Sequence, residues 1–234
     1  MSISEQLTII RERMAGAARR AGWSADQVAL MAVCKTFPTE AIQEAYEAGQ
    51  RLFGENKVQE FTEKFPAVEH LADAQFHMIG HLQSNKAAKA AEIFKAVDSV
   101  DSVKLAQRLN DAAGKLGKTL DVLLEINVGG EEAKSGLALN SPEVENILQQ
   151  ATSWPNLRIR GLMTVPPFTD DPEGARPYFR TLRELLERLA ARNYPGVALD
   201  TLSMGMSHDF EVAIEEGSTC VRIGTAIFGE RHYP

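Results

Sequence analysis

Short apolar runs alternate with longer amphipathic segments along almost the whole chain. The runs at residues 28–33, 51–53, 75–79, 94–97, 121–128, 159–164, 201–204 and 220–223 are bounded by glycine, proline or charged residues and read as eight buried strands. Ahead of the first run, residues 4–21 carry Leu7, Ile10, Met14 and Ala18 at helical spacing, with Gly22 as the stop. Pro38 opens a second helix that Gly49 ends. Ser141-Pro142 and Asp171-Pro172 each pair a capping residue with a proline at the first helical position. Residues 172–191 place Phe179, Leu182, Leu185, Leu186 and Leu189 on one helical face.

Strands that alternate with helices pair in parallel through right-handed crossovers. Eight such units in 234 residues predict a (β/α)8 TIM barrel with an extra N-terminal helix, a single domain over residues 1–234. A doubly wound open sheet is the alternative. The last unit is short, because only residues 226–234 follow Gly224-Thr225. No Gly-, Pro- or Ser-rich linker divides the chain.

Charge and composition narrow the function classes. A net charge of −7 and a pI near 5.3 argue against nucleic acid or an anionic membrane as partner. The N-terminus lacks a basic region and an apolar signal core, and no apolar run approaches a membrane span. Two cysteines form no disulfide framework. The expectation is a soluble cytoplasmic protein.

Barrel sites are built at the C-terminal ends of the strands. Lys35 closes the first apolar run, where burial disfavours the ammonium and leaves more of the nucleophilic amine. Such a lysine forms Schiff bases with carbonyl compounds; the plainer reading is a strand-end lysine that snorkels to water. The loops after the last two strands carry Ser203, Gly205 and Ser207, then Gly224 and Thr225. Hydroxyl donors and close backbone approach in adjacent loops suit a phosphate, although each loop alone reads as a turn. Arg222 lies inside an apolar strand on the face of Cys220 and Gly224, and a buried guanidinium needs partners. A ligand atom would serve, and so would Glu55 or Asp209; Asp209 is more simply a helix cap. His77 and His81 lie on a strand and the loop after it, which disfavours a shared metal. Lys134 is a second lysine able to meet a carbonyl.

A reactive lysine, a phosphate site and a buried arginine in one mouth fit pyridoxal 5′-phosphate, which has an aldehyde, a phosphate and a ring nitrogen. The segments Ala32-Val33-Cys34-Lys35-Thr36, Phe53-Gly54-Glu55-Asn56-Lys57, Ile79-Gly80-His81-Leu82-Gln83-Ser84-Asn85-Lys86, Gly161-Leu162-Met163-Thr164, Leu202-Ser203-Met204-Gly205-Met206-Ser207 and Val221-Arg222-Ile223-Gly224-Thr225 resemble the pyridoxal phosphate homeostasis protein family over nearly the full chain. The resemblance implies a barrel similar to the N-terminal domain of alanine racemase, with pyridoxal phosphate held as a Schiff base on Lys35. It implies Arg222 facing the pyridine nitrogen, the phosphate around Ser203, Ser207, Gly224 and Thr225, and Asn56 near the ring. Cys34 stands where the family commonly has serine, and Lys57 where an aromatic is frequent.

The resemblance also implies a carrier, buffer or regulator of the cofactor without efficient turnover, acting as a monomer or weak dimer and supplying pyridoxal phosphate-dependent apoenzymes. Chemistry agrees: an arginine at the ring nitrogen weakens the electron sink that catalysis draws on, and the second acid/base of the two-domain relatives is expected to be missing. A racemase-like enzyme and a cofactor-free Schiff-base aldolase are the alternatives. Cys34 and Cys220 are expected on opposite faces of the barrel wall, with no bond between them.

Overall fold

The computed structural model describes residues 1–131 and 135–230. Its strands are β1 Ala29–Val33, β2 Leu52–Glu55, β3 Gln75–Met78, β4 Ala96–Val100, β5 Leu120–Asn127, β6 Leu137–Ala138, β7 Leu157–Met163, β8 Val197–Met206 and β9 Cys220–Ile223. Neighbours run β4-β3-β2-β1-β9-β8-β7-β5, every pairing is parallel, and β4 also pairs with β5. That last pairing closes an eight-strand TIM barrel, so the open-sheet alternative is set aside.

β8 starts four residues before and ends two residues after the expected run, and two further departures have physical reasons. β4 runs on through Asp98 and Ser99, whose polarity reads as a loop. Both are buried and partnered: Asp98 faces His77 Nδ1 at 3.2 Å, and Ser99 Oγ donates to Gly80 O at 2.6 Å. The two-residue β6 carries too little sequence to show a period. It pairs with the end of β5, Ile126 opposite Leu137 and Asn127 opposite Ala138.

The N-terminal helix Ile3–Arg20 starts at Ser2, whose hydroxyl accepts from Glu5 N while the Glu5 carboxylate accepts from Ser2 N. It buries Leu7, Ile10, Met14, Ala17 and Ala18 and packs on the helices Thr39–Glu47, Phe210–Glu215 and Thr225–Phe228. The last of these is only four residues long, so the extra helix covers the side of the barrel that the short final unit leaves bare. Arg13 and Arg20 fasten it to Glu211 and Glu215 at 2.8–2.9 Å. Among the described residues no helix is long and apolar enough to cross a membrane.

Candidate functional site

A cavity of about 650 Å³ opens at the C-terminal ends of the strands. Lys35, Asn56, Ser207, Arg222, Gly224 and Thr225, drawn from four separate strand ends, all line it. The structure therefore brings together six of the seven residues singled out in the sequence.

Lys35 lies two residues beyond β1 and is half-buried. Its peptide is held from outside the barrel by Lys64 on the helix Val58–Val68. Lys64 Nζ donates to Cys34 O at 2.9 Å and Lys35 O at 3.2 Å, and meets Glu55 Oε1 at 2.8 Å. Glu55 is fully buried, and burial holds its carboxyl above the ordinary value even though Lys64 opposes this. Cys34 Sγ points the same way, donating to Glu55 Oε1 at 3.4 Å, and burial pushes its thiol up.

Arg222 in β9 lies opposite Met31 of β1 and is 3 % exposed. Nη1 donates to Ser203 Oγ at 2.7 Å and Nη2 to Thr164 O at 2.6 Å. Thr164 Oγ1 in turn donates to Ile126 O at 2.6 Å, so the guanidinium is braced across three neighbouring strands. Neither expected carboxylate is its direct partner. Glu55 is engaged by Lys64, and Asp209 Oδ1 accepts from Met206 N at 2.7 Å. That bond also corrects the reading of Asp209 as a side-chain cap for the helix it precedes. Burial pulls the guanidinium below its ordinary value, opposed chiefly by Cys220, then Asp98, Asp209 and Glu125.

Ser203 is the seventh residue, and the structure places it elsewhere. It is fully buried and outside the cavity lining, and its Oγ accepts from the Arg222 guanidinium. Gly205 is likewise no part of the lining. A Cβ there would stand 2.5 Å from Ala213 Cβ, and its φ of +92° suits glycine, so it serves the packing of the helix Phe210–Glu215. Ser207 Oγ accepts from Ala226 N at 3.4 Å and lies beside Gly224 and Thr225 on the cavity wall. Gly80 has a role the sequence does not show: a Cβ would fall 2.3 Å from Asn56 O, so only glycine lets the loop carrying Asn56 seat against β3.

One charged residue in the lining escaped the sequence reading. Glu125, inside β5, is 7 % exposed; Oε1 accepts from Ser135 Oγ at 3.0 Å, while Oε2 has no hydrogen-bond partner among the described residues. A charge within an apolar strand, the signal that exposed Arg222, marks it too. His81 also lines the cavity and faces Asp101 at 3.2 Å, whereas His77 lines a separate cavity with Asp98. Among the described residues no group of side chains could hold a metal ion. Lys134 lies outside the described residues.

The alanine racemase N-terminal domain family matches residues 7–232. The pyridoxal phosphate homeostasis protein of Aquifex aeolicus is 46% identical over 234 residues, all of both chains. That of Escherichia coli K12 is 42% identical over 233 residues, 99% of this chain and 97% of the other. PipY of Synechococcus elongatus, solved with PLP bound, superposes with a TM-score of 0.84 at 37% identity, covering 97% of this chain and 100% of that one.

Proposed function

From the premise that this chain belongs to the alanine racemase N-terminal domain family, and within it groups with the pyridoxal phosphate homeostasis proteins, we propose that it binds pyridoxal 5′-phosphate and serves its cellular homeostasis as a carrier or buffer. The observation that carries this reading is that Lys35 and a buried Arg222 line one cavity. The donor set fits the ligand. Lys35 offers an amine to the aldehyde, and Arg222 keeps a second N–H on each Nη after serving Ser203 and Thr164. Ser207, Gly224 and Thr225 would offer hydroxyls and backbone amides to the phosphate, and Asn56, on the same cavity wall, would meet the ring.

Bound pyridoxal phosphate supplies a reactive aldehyde and, once its ring nitrogen is protonated, an electron sink. Arg222 presents a permanent positive charge and only donors, so toward the ring nitrogen it would favour the unprotonated form. Ser203 and Thr164 hold the guanidinium in that attitude. The chain thereby binds and orients the cofactor while withholding the charge that carbanion chemistry needs. The reading is thus of a cytoplasmic carrier, monomeric or weakly dimeric, with one barrel domain over residues 1–234 and apoenzymes as recipients.

Borohydride reduction of the loaded protein, followed by mass spectrometry of a digest, tests the assignment. A pyridoxyl phosphate adduct on Lys35 is expected, with no adduct in Lys35→Ala. An adduct on Lys134 instead would overturn the lysine assignment, and no adduct on any lysine would favour a cofactor-free aldolase. Repeated racemisation, decarboxylation or transamination of amino acids per chain, abolished by Lys35→Ala, would replace the carrier with an enzyme.

A further inference from the structure

A second cavity, of about 620 Å³, opens at the other end of the barrel. Ala29, Leu52, Ala96 and Cys220, the first residues of β1, β2, β4 and β9, line it together with Asp121 near the start of β5. Among the described residues it shares no lining residue with the cavity of Lys35 and Arg222. Barrel interiors are ordinarily filled by valine, isoleucine and leucine, whereas Ala29, Ala96, Thr201 and Cys220 are small and leave the space open. The acidic residues of the wall are spent within the protein. Both oxygens of Asp98, which is 2 % exposed, lie 3.2–3.3 Å from His77 Nδ1. Arg160 donates from Nε and Nη2 to the two oxygens of Asp200, at 3.2 and 2.7 Å, and Arg158 Nε donates to Asp121 Oδ1 at 2.5 Å. A charged ligand would have to compete with these pairs, so the cavity favours a neutral one.

What remains on the wall is a mixture of donors and acceptors. A carboxylate only accepts, so the proton of His77 sits on Nδ1, and Nε2 has no hydrogen bond to any described residue. Arg160 Nη1 stands 3.9 Å from Asp121 Oδ2, too far for a direct hydrogen bond and a suitable gap for one bridging hydroxyl. Gln27 gives Oε1 to Ser24 N at 2.8 Å, and its amide hydrogens meet no acceptor among the described residues. A hydroxyl both donates and accepts, so it can satisfy each of these groups. Trp23, 38 % exposed at the opening, adds a broad apolar surface to that of Leu52 and Val122. We propose that this cavity is a binding site for a small neutral ring bearing hydroxyl groups, a cyclic polyol or monosaccharide. Its C–H faces would lie against Trp23 and the apolar wall, and its hydroxyls against His77, Gln27, Arg160 and Asp121. The site is distinct from the proposed pyridoxal phosphate site and does not depend on it.

The full chain is titrated with myo-inositol, methyl α-D-glucopyranoside and methyl β-D-ribofuranoside, followed by ligand-observed saturation-transfer NMR. None of these carries a free carbonyl, so none can form an imine with a lysine. At least one is expected to bind saturably, with a dissociation constant of about 1 mM or tighter. Ala96→Leu, which fills the cavity, and Arg160→Met, which removes a charged donor at its rim, are each expected to weaken that binding about tenfold or more. Arg160→Met carries the test if Ala96→Leu does not fold. Lys35→Ala should leave the binding unchanged. The absence of saturable binding by any of the probes overturns the proposal. So does binding that survives both substitutions, which places the ring elsewhere on the protein, or binding lost in Lys35→Ala, which places it in the other cavity. Binding of the methyl glycoside of glucosamine about tenfold tighter than that of its neutral parent would reveal unspent acidic charge and overturn the neutral ligand class.

Discussion

Lys64 Nζ stands 2.8 Å from Glu55 Oε1 and, from the same position, donates to the carbonyls of Cys34 and Lys35. Helix Val58–Val68 thus clamps the chain where it leaves β1, from the side opposite the cavity. The pair is secluded, with the Glu55 side chain fully buried and that of Lys64 only 15% exposed. Breaking one side of such a pair strands a buried charge. Lys64→Met is expected to lower unfolding stability by roughly 3–5 kcal/mol, and the double variant Lys64→Met/Glu55→Met to recover much of that loss. Urea unfolding of the single and double variants measures both. A single variant within about 1 kcal/mol of wild type would show that the clamp carries no strain-bearing role.

Ser203 and Ser207 are four residues apart and chemically alike, yet the structure assigns them different work. Ser203→Ala removes an acceptor from a buried guanidinium and should cost about 1–3 kcal/mol of stability. Ser207→Ala, at a half-buried position on the cavity wall, should leave stability within about 0.5 kcal/mol. Its effect belongs on pyridoxal phosphate affinity, with a loss of about tenfold. Thermal unfolding and equilibrium dialysis on the two variants should give this crossed pattern. The reverse pattern would return Ser203 to the phosphate.

The barrel was legible because each strand is a short apolar run and each long helix shows one apolar face, two periods that do not resemble each other. The mouth was legible because Lys35 and Arg222 put charge where burial demands a reason. Depth was not legible: nothing in the sequence separates Ser203, fully buried and bonded to the guanidinium, from Ser207, on the wall. Partners were not legible either. Arg222 takes a hydroxyl and a carbonyl rather than Glu55 or Asp209, because Glu55 points to the outer face of the sheet and Asp209 folds back on its own loop. Glu125 does not stand out in the sequence, because polar Asp121 and Asn127 share its strand and make its charge look ordinary. β6 was invisible because two residues define no pattern.

Cys34 and Cys220 are both buried free thiols, one bonded to Glu55 on the outer side of the sheet, the other lining the cavity that holds His77. Burial pushes the Cys220 thiol up to about 12 and raises that of Cys34 as well. Thiolate is the reactive form, so neither should react with a thiol reagent at pH 8 while the chain is folded. In denaturant, without reductant, two thiols per chain should titrate. A count of zero would reveal a bridge, and rapid reaction of the native protein would mean that the wall opens at one of them.

Glu125 also makes the stability of the unliganded protein depend on pH in a definite direction. Burial raises its carboxyl, against the Ser135 hydrogen bond and the charges of Arg222 and His81, while Asp101 adds to the rise. A carboxyl whose folded value lies above its unfolded value of about 4.3 holds more protons folded than unfolded in the interval between them. Its contribution is therefore fully present below the unfolded value and is lost as pH climbs through the folded one. Glu125→Gln is uncharged at every pH and escapes that loss. The variant should be more stable than wild type near pH 7.5, and its advantage should shrink steadily as the pH is lowered toward 4. Urea midpoints of both proteins across this range decide the matter. An advantage that grows on acidification would mean that the carboxylate is favoured by the fold and that its orphan oxygen is satisfied within the chain.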